Sequence, residues 1–226
     1  AAVNKAAFTN LYRNQDPKDY LKTLSSLEYT IPQHVQPLFH RLYELSSRCL
    51  ANSVILDVCC SYGINEGLLW HNIDMDTWTA RYNASQLSAE NQVRADKKLF
   101  ATRTRPFRPV VVGLDTSVPA TRYALDTGLI DSGWSENLEV QDHSTDFCRA
   151  VRDVSLIICT RGASYVGSRT FSRIMKVIER PMNLWMFCTV FRMVPCDDTA
   201  ASLRSHGLET ERLPGVVLLQ RRFVSA

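Results

Sequence analysis

Runs of consecutive apolar residues along the chain predict the strands of a buried sheet. The first run covers residues 53–58 and is broken only by Asp57 after its opening serine, as in a strand that is covered on both faces. Further runs predict four more strands, at residues 110–114, 134–140, 154–159 and 184–194. Two extended segments joined by Pro214-Gly215 predict a closing antiparallel hairpin over residues 209–213 and 216–223.

Between these runs, apolar residues recur three and four positions apart, which predicts helices. Near the start of the chain, Pro17 is typical of a helix start, Pro32 is expected to interrupt the pattern, and Pro37 to begin a second helix. Strands that alternate with helices favour an α/β fold with a mostly parallel, seven-stranded sheet and helices on both of its faces. We expect residues 1–50 to form a helical cap and residues 51–226 to form one compact α/β domain.

The composition is that of a globular protein, since 45% of the 226 residues are hydrophobic and 22% are charged. A net charge of +3 is too small to indicate a nucleic-acid partner, and no apolar run reaches the ~18 residues of a membrane span. The seven cysteines include no Cys-x-x-Cys pair, so we expect reduced structural thiols, no metal and a cytoplasmic location. A small-molecule substrate is expected, and the oligomeric state is left open.

The residues that follow the first predicted strand give the clearest indication of a ligand site. A tight loop, Cys59-Cys60-Ser61-Tyr62-Gly63, leads directly into a predicted helix over residues 64–70. This geometry presents backbone N–H groups and a helix N-terminus to a nucleotide-like ligand. The loop contains only one glycine, although glycine is favoured where such a loop needs a positive φ. Asp115 ends the second strand, where its carboxylate can accept both hydroxyls of a ribose or cap the helix that follows.

Two stretches resemble motifs of the class I S-adenosylmethionine-dependent methyltransferases, a Rossmann-like superfamily. The first is Val54-Ile-Leu-Asp-Val-Cys-Cys-Ser-Tyr-Gly63, where the family pattern usually reads apolar-apolar-Asp-apolar-Gly-Cys-Gly-x-Gly. Asp57 and Gly63 match this pattern, whereas Cys59 and Ser61 replace its first two glycines. The second is Val111-Val-Gly-Leu-Asp-Thr-Ser117, whose acidic residue binds the ribose diol in the family. The resemblance covers residues 50–226 and implies a Rossmann-like fold and an S-adenosylmethionine cofactor.

The resemblance also implies a cofactor site formed by residues at the carboxyl ends of the predicted strands. The residues expected to bind S-adenosylmethionine are Asp57, Cys59, Cys60, Ser61, Tyr62, Gly63, Asp115, Thr116, Asn137, Leu138, Thr160 and Ser164. Aromatic faces attract a sulfonium ion, and the tyrosines expected to contact it as catalytic residues are Tyr165, Tyr12 and Tyr29. Packing in the core is the alternative role for these tyrosines. Arg161, Arg169 and Arg173 suit an anionic acceptor if they face the pocket, and contact with solvent is the alternative.

Methyl transfer to a small acceptor is the commonest reaction of this superfamily, so the resemblance implies a transferase of small-molecule, secondary metabolism. The chain lacks the Asn-Pro-Pro-Tyr type motif of base amino methylation. Some of its segments also resemble a bacterial subgroup near the enzymes that cyclise S-adenosylmethionine to azetidine-2-carboxylate, namely residues 12–32, 60–65, 136–139 and 220–223. Intramolecular cyclisation with release of methylthioadenosine is therefore the alternative reaction. A cofactor-binding protein without catalysis is the third hypothesis.

Overall fold

A parallel sheet forms the centre of the computed structural model, which describes residues 9–47, 53–179 and 183–219. In these ranges the sheet has five strands, all parallel to their neighbours, in the order β3-β2-β1-β4-β5. They are β1 (Val54–Val58), β2 (Val110–Leu114), β3 (Ser132–Trp134), β4 (Val154–Cys159) and β5 (Trp185–Cys188). The expected α/β fold with a mostly parallel sheet is therefore confirmed, and the strand order is that of doubly wound folds.

Helices connect the strands and cover both faces of the sheet. Within the described ranges they are α1 (Lys18–Ser26), α2 (Ile31–Ser47), α3 (Ile64–Trp70), α4 (Met75–Ala84), α5 (Ala89–Arg103), α6 (Val118–Asp126), α7 (Thr145–Val151), α8 (Ser168–Met175) and α9 (Asp197–Ser205). None of the helices in this part of the chain is long and apolar enough to cross a membrane.

The sheet separates two hydrophobic cores, because successive strand residues point to opposite faces. On one face Ile55 and Leu156 pack with residues from α1 to α6. On the other face Leu56 and Ile157 pack with residues from α7, α8 and α9. All four strand residues are at most 1% exposed. The central strands are thus covered on both sides, which explains why their sequences are continuous apolar runs rather than alternating ones.

The order of the strands defines a crevice at one edge of the sheet. From β1 the chain moves to β2 and β3 on one side, and it then returns to β4 and β5 on the other side. Ligands of such sheets bind outside the carboxyl ends of the strands at this switch point. The loops that follow β1, β2 and β4 meet there.

The N-terminal helices differ from the expectation at two prolines. α2 begins at Ile31, so Pro32 lies in its first turn and does not interrupt it, because the N–H that proline lacks has no helical partner at that position. Pro37 lies inside α2 rather than at its start. The buried side chains of Val35 and Phe39 join the core, and α2 contacts β4 and β5, which offsets the bond lost at Pro37. The domain division at residue 50 stays a prediction.

The predicted third and fifth strands extend beyond the observed ones. β3 ends at Trp134, and Val140 N–H closes a turn onto the Asn137 carbonyl oxygen at 3.2 Å. β5 ends at Cys188, and another turn joins Val194 N–H to the Phe191 carbonyl at 2.9 Å. In both places the turn removes the backbone groups that a continued strand would need.

The prediction of a seven-stranded sheet with a closing hairpin is wrong for the residues that the structure describes. Residues 208–219 contain a turn at Pro214-Gly215 but no strand. Val216 and Val217 are 47% and 72% exposed, whereas Leu218 is partly buried against the core that contains α1 to α6. Residues 220–223 of the predicted hairpin lie outside the described ranges.

Candidate functional site

The loop between β1 and α3 has the backbone of a glycine-rich loop, although Gly63 is its only glycine. Cys59, Ser61 and Gly63 have φ values of 64°, 54° and 74°. Each non-glycine residue in this left-handed region costs ~1–2 kcal/mol. The backbone N–H groups of Cys59 and Cys60 both donate to the Leu114 carbonyl oxygen, at 2.7 and 3.2 Å. The loop is therefore fixed onto the end of β2 at a cost in conformational strain, which in proteins is found at functional sites.

Asp115, at the end of β2, holds the loop in this conformation. One of its carboxylate oxygens accepts from Ser61 N–H at 3.0 Å, and the other accepts from Ser117 N–H at 2.8 Å. Burial raises the pKa of Asp115, and these backbone N–H bonds oppose the increase. A carboxylate has about four acceptor positions, so Asp115 can accept further hydroxyl donors while it holds the loop. Thr116, the next residue, is exposed.

The Ser61 hydroxyl is the polar group of the loop that best indicates a ligand. Its Oγ is buried and has no hydrogen-bond partner among the described residues. A buried hydroxyl in this state costs ~1–3 kcal/mol. A polar ligand at the sheet edge would supply the missing partner.

A chain of buried polar side chains connects the loops after β1 and β4. Asn65 donates through Nδ2 to Asp57 Oδ2 at 2.9 Å, and Thr160 Oγ1 donates to Asn65 Oδ1 at 3.1 Å. Asp57 is fully buried, so its side chain fixes Asn65 rather than facing the crevice. Burial and the neighbouring Glu66 carboxyl raise the pKa of Asp57, and burial raises the pKa of Glu66 to about 7.

The loops after β1 and β4 also touch directly. Gly162 follows β4, and a Cβ placed on it would come within 2.7 Å of the Cys59 side chain. Only glycine permits this approach, because contacts below about 3 Å are repulsive. Cys60 is buried below the loop, where its Sγ would lie 2.8 Å from a Cβ on Gly113. The cysteines therefore fill space, and burial raises the pKa of the Cys60 thiol.

Tyr62 faces the N-terminal segment rather than the crevice. Its hydroxyl group lies 2.7 Å from the Leu11 carbonyl oxygen and 3.0 Å from that of Asn14. Its ring stacks with that of Tyr12 at a centroid distance of 6.3 Å. Ser117 Oγ donates to the Tyr12 carbonyl oxygen at 2.5 Å. Two hydroxyl groups therefore tie the segment before α1 to the edge of the sheet.

The three tyrosines proposed as catalytic residues meet around one arginine. Tyr12, Tyr29 and Tyr165 all interact with the charge of Arg161. The Arg161 Cζ atom lies 5.3 Å from the centre of the Tyr29 ring and 5.5 Å from that of Phe191. Burial raises the pKa of both the Tyr12 and Tyr29 phenols, so these groups stay protonated at neutral pH. Tyr165 is 55% exposed.

Three of the expected cofactor-binding residues have other structural roles. Asn137 is exposed and accepts through Oδ1 from Glu139 N–H at 3.1 Å. Leu138 is 2% exposed and belongs to the core that contains α7 to α9. Ser164 Oγ accepts from Phe191 N–H at 3.2 Å. These contacts leave the crevice to the loops after β1, β2 and β4.

Two arginines that were candidates for an anionic acceptor have surroundings different from those of Arg161. Arg169 is exposed, and Arg173 forms a 2.8 Å ion pair with Asp142.

Three residues near the site, Asn65, Glu66 and Ser117, were not among those predicted from the sequence. Asn65 and Glu66 form a polar pair on the buried face of α3, and this was their only indication in the sequence.

Among the described residues, no group of three or more His, Cys, Asp and Glu side chains has the arrangement of a metal site.

Comparison with known proteins identifies no family for this chain. No family model matches it, and no curated protein does. Among solved structures, it is similar to magnesium protoporphyrin IX methyltransferase from Synechocystis PCC 6803 with bound SAM, at 12% identity over 79% of this chain and 71% of that chain, with a TM-score of 0.43.

Two further structures show weaker likeness. The plantazolicin methyltransferase BpumL in complex with SAH is 11% identical over 90% of this chain and 69% of its own, with a TM-score of 0.38. Prephenate dehydrogenase from A. aeolicus, in complex with hydroxyphenyl propionate and NAD+, is 15% identical over 68% of this chain and 39% of its own, with a TM-score of 0.30. At these TM-scores the likenesses establish no shared family or activity, so a functional assignment must come from the site itself.

Proposed function

We propose that this protein is an S-adenosylmethionine-dependent transferase of small-molecule, secondary metabolism, which transfers a methyl group to a small acceptor. The cofactor would bind at the carboxyl edge of the sheet, over the loops that follow β1, β2 and β4. No metal is needed in this proposal. The acceptor is a small molecule, and a nucleic acid or a membrane is not required as partner.

The loop at residues 59–63 is the observation that carries the proposal. Cys59 and Ser61 keep the left-handed backbone that the family motif obtains with glycines, and Asp115 holds that conformation through Ser61 N–H. The buried Ser61 hydroxyl has no partner among the described residues. A ribose at this position offers hydroxyl groups to both side chains, so the residues present fit an adenosyl ligand.

The roles of the residues follow from their contacts. When bound, S-adenosylmethionine supplies a methyl group on a sulfonium sulfur, which is already activated for transfer. Catalysis then depends mainly on binding and orientation. Asp115 would accept the ribose hydroxyls, and Thr160 would position the polar arm of the cofactor from the end of β4. Because the Tyr12 and Tyr29 phenols stay protonated, they would act as ring faces and hydrogen-bond donors rather than as bases.

Cyclisation of S-adenosylmethionine to azetidine-2-carboxylate, with release of methylthioadenosine, is the second candidate. It is favoured by the way the N-terminal segment covers the edge, with Tyr62 and Ser117 bound to its backbone. Such a cover excludes water from a reaction that needs only one substrate. The neutral tyrosines around the crevice would also stabilise a sulfonium through their ring faces.

Incubation of the purified protein with S-adenosylmethionine alone, followed by mass spectrometry, separates the two reactions. The proposal predicts no turnover until an acceptor is added, and S-adenosylhomocysteine once it is. If methylthioadenosine and a cyclic amino acid form without any acceptor, the reaction is cyclisation rather than methyl transfer. Failure of S-adenosylhomocysteine to bind in a calorimetric titration would remove both.

A further inference from the structure

Arg161 lies at the end of β4 in an environment built around its side chain. The guanidinium group stands over the ring of Tyr29 at 5.3 Å and over the ring of Phe191 at 5.5 Å, and it forms a hydrogen bond with Tyr29. Its backbone N–H donates to Thr189 Oγ1 at 2.6 Å. The groups that hold Arg161 therefore come from two distant parts of the chain, residue 29 and residues 189–191.

The backbone of Arg161 has a left-handed conformation, like that of the loop at residues 59–63. Its φ is 65°, a left-handed value that disfavours any residue with a Cβ. Gly162 follows and packs directly against Cys59. The strained residue is thus placed next to the loop that carries the proposed function, and strain of this kind is kept where a side chain has to be held in one position.

Arg161 lies where the amino-acid end of a bound adenosyl amino acid would reach. If the ribose lies at Asp115 after β2, the order β3-β2-β1-β4-β5 puts β1 and then β4 on the side away from β3. Neighbouring strands are about 4.8 Å apart, so the end of β4 is about two strand spacings from that of β2. The aminobutyrate arm of the ligand can cover this distance.

The chemistry of the side chain selects the group at that end. Aromatic rings stack on the plane of a guanidinium, whereas its N–H donors lie in the plane and form a fork that matches a carboxylate. The neighbouring Tyr12 and Tyr29 hydroxyls are donors as well, because burial keeps them protonated. Such a set of donors suits an anionic group.

We propose that Arg161 recognises the carboxylate of the amino-acid end of the ligand, with Tyr29 and Phe191 orienting its guanidinium. This inference rests on the proposed function, because it takes the ligand to be an adenosyl amino acid. It assigns the specificity for that end to Arg161 rather than to Asn137 or Ser164, whose side chains are engaged by backbone groups.

Calorimetric titration with S-adenosylhomocysteine and with its decarboxylated analogue tests the assignment, since the two differ only in the carboxylate. In Arg161→Met, the affinity for S-adenosylhomocysteine should fall about 10- to 100-fold, as expected for a charge-assisted hydrogen bond, and the affinity for the analogue should change little. Arg161→Lys keeps the charge without the fork and should lose S-adenosylhomocysteine affinity by a smaller factor. Arg169→Met, at an exposed arginine of α8, is the matched control and should leave both affinities unchanged.

The outcomes separate this inference from the proposed function. Equal loss of affinity for both ligands, or loss for neither, would overturn the role of Arg161 while the cofactor site stands. Thermal unfolding of each variant, together with retained binding of the analogue, shows that the site is still folded. If the unaltered protein binds neither ligand, the proposed function itself fails.

Discussion

At the scale of single residues, conformational strain marks the edge of the sheet. Within the described ranges, five non-glycine residues have a left-handed φ, and Cys59, Ser61 and Arg161 lie at the ends of β1 and β4. These positions cost local stability, as does the buried Ser61 hydroxyl, which has no hydrogen-bond partner in the part of the chain that the structure describes. Sites that bind ligands often carry such features, because they hold groups in a fixed arrangement before the ligand arrives.

Replacement of Ser61 tests whether its backbone is strained. Ser61→Gly and Ser61→Ala both remove the buried hydroxyl, but only glycine relieves the left-handed φ of 54°. We expect the glycine variant to be more stable than the alanine variant by about 1 kcal/mol. In an ordinary helix or strand the sign is the opposite, with glycine less stable by about 0.5–1 kcal/mol. Urea unfolding of both variants measures the difference, and equal stability would show that the loop relaxes.

The buried Glu66 carboxyl predicts a dependence of stability on pH. Burial raises its pKa to about 7 from an ordinary value of 4.5, so the folded protein keeps a proton that the unfolded chain releases above the ordinary value. Its contribution to stability is therefore full below that value and is lost as the pH rises through the folded pKa. Glu66→Gln cannot titrate, so its stability relative to the unaltered protein should rise by about 2–3 kcal/mol from about pH 5 to about pH 8.

The exposed Glu90 provides the control for this measurement. Its side chain is 73% exposed and pairs with Arg94 on α5. Glu90→Gln should show no comparable trend between the same pH values. If the stability difference for Glu66→Gln is constant with pH, Glu66 titrates in the folded protein as it does in the unfolded chain.

At the scale of elements, one buried carboxylate connects three of the four helices that lie between β1 and β3. Asp96 of α5 is fully buried. It accepts from Arg81 Nε at 3.1 Å, from Gln92 Nε2 at 2.9 Å and from the Tyr123 hydroxyl at 2.8 Å, and also from the Tyr82 hydroxyl. Helices α4, α5 and α6 are therefore joined at one charge that is well supplied with donors.

Asp96→Asn should destabilise the protein strongly. The amide keeps the shape of the side chain, but its NH₂ group faces donors and leaves Arg81 without its buried counter-charge. Breaking a buried pair of this kind costs about 3–5 kcal/mol. Chemical unfolding measures the loss, and Asp76→Asn, at an exposed position of α4, should change stability by less than about 0.5 kcal/mol. A small effect at Asp96 would mean that water replaces the missing bonds.

The helices and strands also differ in how well the sequence alone predicts them. Helix starts can be read from the sequence where a side chain of a capping residue type begins them, since Asp74 accepts from Thr77 N–H and Ser88 from Asn91 N–H. Predictions from local sequence failed where contacts between residues far apart in the chain determine the structure. Pro37 remains inside α2 because the buried face of that helix packs on the sheet. The exposed valines near Pro214-Gly215 have β-forming sequences but no partner strand among the described residues.

The site, like the fold, could be predicted from the sequence only in part. Asp115 and the loop at residues 59–63 lie at the carboxyl edge, as motif position indicated. The left-handed φ of Cys59 and Ser61 could not be read from residue type, because both residues normally avoid that region. The contact of Arg161 with Tyr29 and Phe191 joins parts of the chain that are far apart in sequence, and no local pattern specifies such a contact. The functional roles of the individual site residues stay predictions.

At the scale of the whole molecule, the sheet and the N-terminal segment together define one candidate site. The switch point in strand order brings the loops after β1 and β4 together, and Asp115 links the loop after β1 to the end of β2. The segment that contains Tyr12 closes over this edge through Ser117 and Tyr62. This edge is where we expect an adenosyl ligand to bind.

Calorimetric titration of S-adenosylhomocysteine into the unaltered protein and into Asp115→Asn tests the central claim most directly. The account predicts one-to-one binding by the unaltered protein and an affinity at least about tenfold lower for Asp115→Asn, because the variant loses a charged acceptor for the ribose hydroxyls. Asp153→Asn, at an exposed aspartate, should bind like the unaltered protein. No measurable binding by the unaltered protein, or equal affinities for it and Asp115→Asn, would contradict the account.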